Sequence, residues 1–575
     1  MKNLILLSIL MLFVTLQACD KSDVNALSVD LTEISIPEEG GNRTFVITTD
    51  AENWQIVNPG TDWIKLSATS GELKTAMITV LVNTLTATPR TDTLTITAGN
   101  AKPVYVVVNQ AASEFLYTLS SSLNSITFKR SGNEVAFRLN TTAPEWNVSS
   151  SANWISFDKT TGTDTETFVT VSASPNDGKD PRETTITLSA EYAPTVEIAV
   201  TQNGELYPDY NTSPQEPDNT GMSSTATQLA SMINLGWNLG NSLEAPGGET
   251  TWGNPATTQA LIDLVKQSGF NAIRIPAAWN SHLSNAAKAE INPTWLARVK
   301  EVIQYATNND MYVILNIHWD GGWLENNCTL AKQEENNAKQ KAFWEQIATY
   351  LRDFDEHLLF AGANEPNVAN ATEMSVLNSY SQTFINAVRS TGGKNTYRTL
   401  IIQGPSTDIE KTNQLMLMPV DNTPNRMMVE VHYYTPWNFC GMTEDATWGN
   451  MFYYWGEGFH SESDPGRNAT YGEEATVLTN FGLMKSKFVD KGIPVVLGEF
   501  SVVRRSALTG DALTNHLASR AYYFKYVTQQ AKAHGLLPFY WDNGGMGNNG
   551  CALFNRSTVS VFDQQALDAL VEGAQ

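Results

Sequence analysis

The sequence predicts an α/β chain in which two β-sandwich modules precede a (β/α)8 barrel. Three observations carry that prediction. Eight short apolar runs alternate with amphipathic stretches over about the last 350 residues. Two of those runs, Leu358 to Pro366 (LLFAGANEP) and Val495 to Phe500 (VVLGEF), bring a glutamate to a strand's C-terminal end. Upstream, a pattern of short β-rich segments repeats at an offset of about 91 to 92 residues. A short apolar run bounded by turn-formers reads as a strand buried on both faces, and a barrel of parallel strands gathers such strand ends over one mouth.

The chain has 575 residues, 42% hydrophobic and 17% charged, with 15 Trp, 19 Tyr and 22 Phe. Its net charge of -23 argues against nucleic acid, which needs concentrated Lys and Arg, and against an anionic polymer as substrate. The opening MKNLILLSILMLFVTLQACD reads as a secretory signal. Leu16, Gln17, Ala18 and Cys19 resemble the lipobox of bacterial lipoproteins. That resemblance implies a signal peptide over 1–18, a lipidated Cys19 and a tether over 19–25. Asp20 and Asp23 resemble surface-export signals. The expected address is the bacterial cell envelope, anchored by lipid to the outer membrane and surface-exposed, and the expected state is a monomer. No later stretch is long and apolar enough to span a membrane. Cys328, Cys440 and Cys551 are an odd number without metal-like spacing, and read as buried or loop thiols.

From 26 to 113, segments such as RTFVITT, AMITVLV, DTLTITA and VYVVVNQ are separated by Gly, Pro, Asn and Asp, the pattern of an antiparallel sandwich. Residues 114–204 repeat it. Trp54 matches Trp146, Asp62-Trp63-Ile64 matches Asn153-Trp154-Ile155, and Asn109-Gln110 matches Thr201-Gln202, so whole modules are duplicated. These marks, with an (S/T)G pair between them, resemble the BACON family of immunoglobulin-like modules. The resemblance suggests carbohydrate binding, whereas Trp in register with the strand pattern suggests core positions and spacer modules. Residues 205–224, rich in Pro, Asn, Asp and Ser, read as an extended linker.

The barrel is expected over 225–575, with strands beginning near Ile233, Asn271, Met311, Leu358, Tyr397, Met427, Pro494 and Leu536. Polar and aromatic residues at the strand C-termini are Arg274, His318, Asn364, Glu365, His432, Tyr434, Glu499 and Trp541. The motifs IRIP, NIHWDGGW, NEP, VHYY, GEF and YWDNG, in that order, resemble glycoside hydrolase family 5, a TIM-barrel family. GWNLGNSLEA, TWGNP and WDNG point to its subfamily 4. Trp319 stands where many relatives carry a second His, and roles resting on that His do not transfer.

The resemblance implies a retaining endo-β-1,4-glucanase, with Glu499 as nucleophile and Glu365 as acid/base, about 5 to 5.5 Å apart. Arg274 and Tyr434 are expected to stabilise the Glu499 anion, and Glu365, facing that charge, to hold its proton more tightly. Asn364 is expected to bond the sugar 2-OH, His318 and His432 to orient hydroxyls and carboxylates, and Trp541 to floor the cleavage point. Scaffold roles remain open for the two His and for Arg274. The carboxylate pair is complete without a cofactor, and no HxH or HExxH spacing suggests a metal. The long segment Thr435 to Tyr471 and Trp252, Trp279, Trp319 and Trp323 add aromatics, about half of which are expected to touch a polymer. The substrate implied is a plant cell-wall β-glucan, xyloglucan first, with mixed-linkage glucan or cellulose-type polymers as alternatives. A surface glycan-binding protein or adhesin with an inactive barrel is the alternative of another class.

Overall fold

A computed structural model describes residues 24–82 and 86–575 of the chain; Cys19 and the signal and anchor readings lie outside the described residues. The chain divides into two units, one ending at Gly204 and the other starting at Glu205. In the first unit each repeat is a sandwich of a four-stranded and a five-stranded sheet, with the same strand order in both copies. Pairing is antiparallel except in one place per copy: Glu33–Ile36 runs parallel to Val104–Gln110, and Ser125–Phe128 to Val196–Gln202.

The repeated motif residues turn out to be core furniture. Trp54 and Trp146 are buried, and each donates its indole N–H to a backbone carbonyl, of Leu73 and Asp164 respectively, at 3.1 Å. Gly71 and Gly162 lie against those rings so closely that an added Cβ would sit 2.6 and 2.3 Å from a ring carbon. Glycine is therefore required in the (S/T)G pair. Trp63 and Trp154 lie under the guanidinium groups of Arg90 and Arg182, 4.8 and 4.5 Å from the ring centroids. The Nε of each arginine donates to the buried Gln110 or Gln202 at 2.9 and 2.8 Å, which accounts for the terminal Gln of each repeat.

The second unit is a closed barrel of eight strands in sequential order: β1 Gly236–Leu239, β2 Ala272–Ile275, β3 Tyr312–Asn316, β4 Leu358–Ala361, β5 Leu400–Gln403, β6 Met427–His432, β7 Val495–Phe500 and β8 Leu536–Asp542. All pairs are parallel, including β1 with β8, which closes the ring. Every strand overlaps a predicted run. The helices between them begin at side-chain caps where the sequence offers Thr258, Asn292 followed by Pro293, Asn370 and Asp408, which supply acceptors to otherwise unpaired backbone N–H groups.

Side chains alternate along each strand, and the barrel interior is layered accordingly. The lower inward layer is apolar: Ala272, Ile314, Leu359, Ile401, Met428, Val496, Leu537 and Phe539 cluster with Ala226 and Leu229 of the short helix Ala226–Met232. Two residues further along the same strands stand Arg274, Asn316, Gln403, Glu430 and Trp541. A dry plug closes one end, and polar side chains begin directly above it.

The stretch read as an extended linker, 205–224, is strapped to the barrel unit. Tyr207 and Tyr210 pack on its hydrophobic core. The buried Glu345 accepts the backbone N–H groups of Tyr210 and Asn211 at 2.9 and 3.3 Å. Arg352 donates to the Ser213 carbonyl at 3.0 Å, Gln215 to Thr391 at 3.1 Å, and Met222 is buried. Composition registers only how polar a segment is; the acceptors that fix this one come from distant helices. A chain beginning at residue 205 is expected to keep the unfolding temperature of the barrel, whereas one beginning at 225 should melt about 3 to 5 °C lower, as loss of a few kcal/mol from a domain of this size implies. Calorimetry of the two truncations decides it.

Candidate active site

Above the plug, the end of β7 carries Glu499 and the end of β4 leads through Asn364 to Glu365. A carboxylate oxygen of Glu365 and one of Glu499 lie within 4.8 Å of each other, facing across the mouth. The β7 strand shifts register against both neighbours just before Glu499, a bulge that turns its side chain inward where strict alternation from Val496 would not. Gly498 makes this possible: a Cβ there would stand 2.1 Å from a Glu430 carboxylate oxygen.

The two carboxylates have different surroundings. The Glu499 side chain is 7% exposed. One of its oxygens accepts Arg274 Nη1 at 2.8 Å and the other the Tyr434 hydroxyl at 2.9 Å, as the sequence led one to expect. The Tyr434 phenol is raised well above its ordinary pKa by burial and by the Glu499 and Glu365 charges, so it remains a donor. The Glu365 side chain is 43% exposed, accepts His432 at 2.7 Å and has the Thr407 hydroxyl at 3.5 Å.

His432 is held between carboxylates. Its Nδ1 faces Glu365 and, at 3.7 Å, Glu499; its Nε2 is 3.3 Å from Glu430. Burial alone would lower its pKa, but the Glu499 charge and the hydrogen bonds to Glu365 and Glu430 raise it to about 10. The ring is therefore an imidazolium at neutral pH, and this corrects one expectation. Burial pushes Glu365 upward, but the His432 hydrogen bond and charge, followed by the Arg274 charge, hold its carboxyl below the ordinary value. The opposing Glu499 does not decide the matter, because the His432 cation stands against Glu365 at 2.7 Å.

His318 is of the other kind. Asn316 Oδ1 accepts the Ala277 N–H at 3.2 Å, which fixes the amide so that its Nδ2 donates to His318 Nδ1 at 3.1 Å. The ring hydrogen then resides on Nε2. Burial, then the Arg274 and His432 charges, lower His318 well below its ordinary pKa, leaving a neutral ring with an N–H donor. The Trp541 indole is nearly parallel to it, with 7° between planes and 5.8 Å between centroids.

All eight predicted residues are thus gathered at one mouth. Missed by the sequence reading were Glu430, Asn238 and Gln403, which lie inside their strands, Glu430 and Gln403 in the layer of Arg274 and Trp541. Arg274 Nε is 2.8 Å from Glu430, Nη1 donates to Asn238 at 3.0 Å, and Nη2 to Asn364 at 2.7 Å; Gln403 donates to Glu430 at 2.6 Å. The available signal was Glu430 itself, a carboxylate in an otherwise apolar strand, which must be paired if buried. Glu365, His432 and Glu499 are also the kind of cluster that holds a metal. The donor set does not fit one, since His432 is cationic with both nitrogens directed at carboxylates, and a ligating imidazole must be neutral.

The aromatic expectations divide. Trp252, Trp319, Trp437 and Trp448 are exposed, whereas Trp279, Trp323, Phe439, Phe452, Tyr454 and Trp455 are buried in the barrel unit. The latter are loop core, ordered by hydrogen bonds such as Trp455 Nε1 to the Gly472 carbonyl at 2.9 Å.

Comparison with known proteins gives the following. Residues 238–547 match the cellulase (glycosyl hydrolase family 5) model, and residues 52–111 and 145–203 match the BACON model. The xyloglucan-specific endo-beta-1,4-glucanase BoGH5A of Bacteroides ovatus is 36% identical over 446 residues, covering 75% of this chain and 86% of that protein. The solved Bacteroides ovatus GH5 xyloglucanase in complex with a XXXG heptasaccharide is similar with a TM-score of 0.60 and 34% identity, over 79% of this chain and 99% of that one. A GH5-4 broad specificity endoglucanase from Bacteroides salanitronis is similar with a TM-score of 0.55 and 36% identity, over 61% of this chain and 95% of that one.

The His432 charge has a consequence for stability. Its folded pKa of about 10 lies above the unfolded value of about 6.5, so its contribution is complete below about pH 6.5 and is lost as pH rises through about 10. His432→Gln should therefore be less stable than the parent by about 3 kcal/mol near pH 6, with the gap narrowing towards pH 10. Urea unfolding of both proteins at the two pH values measures this.

Proposed function

Given that the chain belongs to glycosyl hydrolase family 5 and carries BACON domains ahead of its barrel, we propose that it cleaves xyloglucan internally, with retention, using Glu499 as nucleophile and Glu365 as acid/base. The observation that carries this reading is the close approach of the two carboxylates, an oxygen of one lying within 4.8 Å of an oxygen of the other. Such a gap suits a nucleophile and leaves no room for the water an inverting pair needs between its carboxyls.

Glu499 attacks the anomeric carbon with the oxygen lone pair of a carboxylate that Arg274 and Tyr434 hold in place. The glycosidic oxygen takes a proton from Glu365 as its bond to that carbon breaks. In the resting site that proton is stored on His432. A sugar chain lying over Glu365 strips the water from its exposed side, raises its proton affinity and draws the proton from the imidazolium. Once Glu499 is a neutral ester, its charge no longer opposes ionisation of Glu365, which then takes a proton from water as that water attacks the anomeric carbon and the bond from that carbon to Glu499 breaks, returning its carboxylate. Asn364, its amide oxygen held by Arg274, directs its N–H groups to the sugar 2-OH, where the bond strengthens as the oxocarbenium-like state forms. His318 offers Nε2–H to a hydroxyl, and Trp541 floors the site.

Xyloglucan is favoured by the similarity to a Bacteroides ovatus enzyme and a solved Bacteroides ovatus structure named for it and by the spread of exposed Trp252, Trp319, Trp437 and Trp448 around the barrel loops. A broader range including mixed-linkage glucan and cellulose-type polymers is favoured by the broad-specificity relative. The Trp faces of both sandwiches are covered by Gly or Arg, which supports spacer modules. We also propose that Cys19 is lipidated and anchors the enzyme to the outer membrane, facing outward.

Glu499→Ala should abolish turnover while polymer binding persists. Glu365→Ala should slow polymer cleavage about 10²- to 10⁴-fold yet still be glycosylated by aryl glycosides with good leaving groups; equal losses on both substrates would refute the acid role. Nuclear magnetic resonance of the first products should show the β anomer, and viscosity should fall early. Parallel assays on xyloglucan, barley-type β-glucan, carboxymethylcellulose, mannan and xylan should rank xyloglucan first. Cys19→Ala should move the protein out of the membrane fraction of cells.

A further inference from the structure

We propose that Glu325, on the loop after β3, is a positioning residue for this reaction: its carboxylate anchors the strand end bearing Asn364 and Glu365 and sets how firmly Glu365 keeps its proton. The inference rests on the assignment of Glu365 as acid/base.

Glu325 is buried and its contacts converge on one short stretch of chain. Its Oε1 accepts the backbone N–H of Glu365 at 2.6 Å, and its backbone carbonyl accepts that of Asn367 at 2.8 Å. The loop thus grips the chain on both sides of Pro366. The Asn364 side chain draws the Glu325 carboxyl downward, and its own Oδ1 takes Arg274 Nη2 at 2.7 Å. With its oxygen held by the cation, that amide turns its N–H groups the other way. Asn326, next in sequence, accepts the Asn367 side chain at 2.6 Å and extends the same grip.

The charges facing Glu325 from the barrel are Glu365 on β4 and Glu499 on β7, both acidic, and on its own loop stands the Cys328 thiol. Burial pushes the Glu325 carboxyl up, the Glu365 N–H pulls it back, and the Glu365 charge pushes it further, to about 7. As pH rises past neutrality Glu325 ionises and sets a negative charge beside Glu365. A neighbouring anion makes a carboxyl hold its proton to higher pH. It therefore opposes the pull of His432 where a general acid would otherwise run out of protons.

The test uses the full chain. Glu325→Gln keeps an acceptor for the Glu365 N–H and removes the ionisable group; Glu325→Asp keeps the charge and disturbs the packing. The pH dependence of kcat/KM is measured on polymeric β-glucan and on an aryl β-glycoside whose leaving group needs no acid. For Glu325→Gln the alkaline limb on polymer should move at least about half a pH unit lower, with the acid limb in place and the aryl-glycoside profile unchanged. For Glu325→Asp the alkaline limb should stay where it is in the parent, even if the rate falls. An unmoved limb in Glu325→Gln, or equal displacement in both variants, overturns the proposal. If Glu365→Ala leaves polymer turnover intact, the acid/base assignment beneath it fails instead, a result that the Glu325 variants do not produce.

Discussion

The site is built around a guanidinium with no access to water. Arg274 is fully buried on β2 and holds Glu430 from β6, Glu499 from β7, Asn364 from the end of β4 and Asn238 from β1. A buried charge of this kind costs several kcal/mol in lost hydration and is tolerated only where its geometry is nearly complete. The planar fork of arginine supplies that geometry, whereas the compact ammonium of lysine could meet at most part of it. Because its partners come from four strands, any slip of register among them would leave charges unpaired. The same side chain that pairs with Glu499 also fixes the arrangement of the barrel mouth.

A second cation completes the balance. With His432 protonated, Arg274 and His432 face Glu365, Glu430 and Glu499. The protons in such a cluster belong to the group rather than to single residues. A lowered proton affinity at Glu365 is then compatible with the acid role proposed for it, because the proton it lacks is one hydrogen bond away. The resting state favours the ion pair, and covering Glu365 with a sugar chain disfavours it. Access of water to that half-exposed carboxyl is what separates the two states.

Much of this was legible in the chain. A parallel barrel strand is a short apolar run whose end carries the chemistry, so both the eight strands and the residues at their ends stand out. Residues lower on the inward face do not. Glu430, Asn238 and Gln403 sit within runs that read as plain strand, and only the period of two carried inward from Met428, Gly236 and Ile401 would mark them. The sorting of aromatics was also hidden: Trp437 and Trp455 occupy the same long segment, yet one is exposed and the other is hydrogen-bonded in the core. Nothing local distinguishes them, because burial is decided by helices elsewhere. The proton affinity of Glu365 depends on which of two opposite charges lies nearer, a matter of side-chain geometry that spacing in sequence does not carry.

The sandwiches show the same limit from the opposite side. A Trp-rich repeat invites the reading of a sugar-binding face, since a flat ring is what a pyranose stacks on. Here each ring already has a covering group: glycine backbone lies on Trp54 and Trp146, and an arginine held by a buried glutamine lies on Trp63 and Trp154. Trading the Arg90 or Arg182 contact for a sugar would forfeit a cation–π interaction and the hydrogen bond that braces it. The duplicated Trp, Arg, Gln and Gly form a packing unit whose members each require the others. Recurrence of the motif therefore follows from the stability of the module.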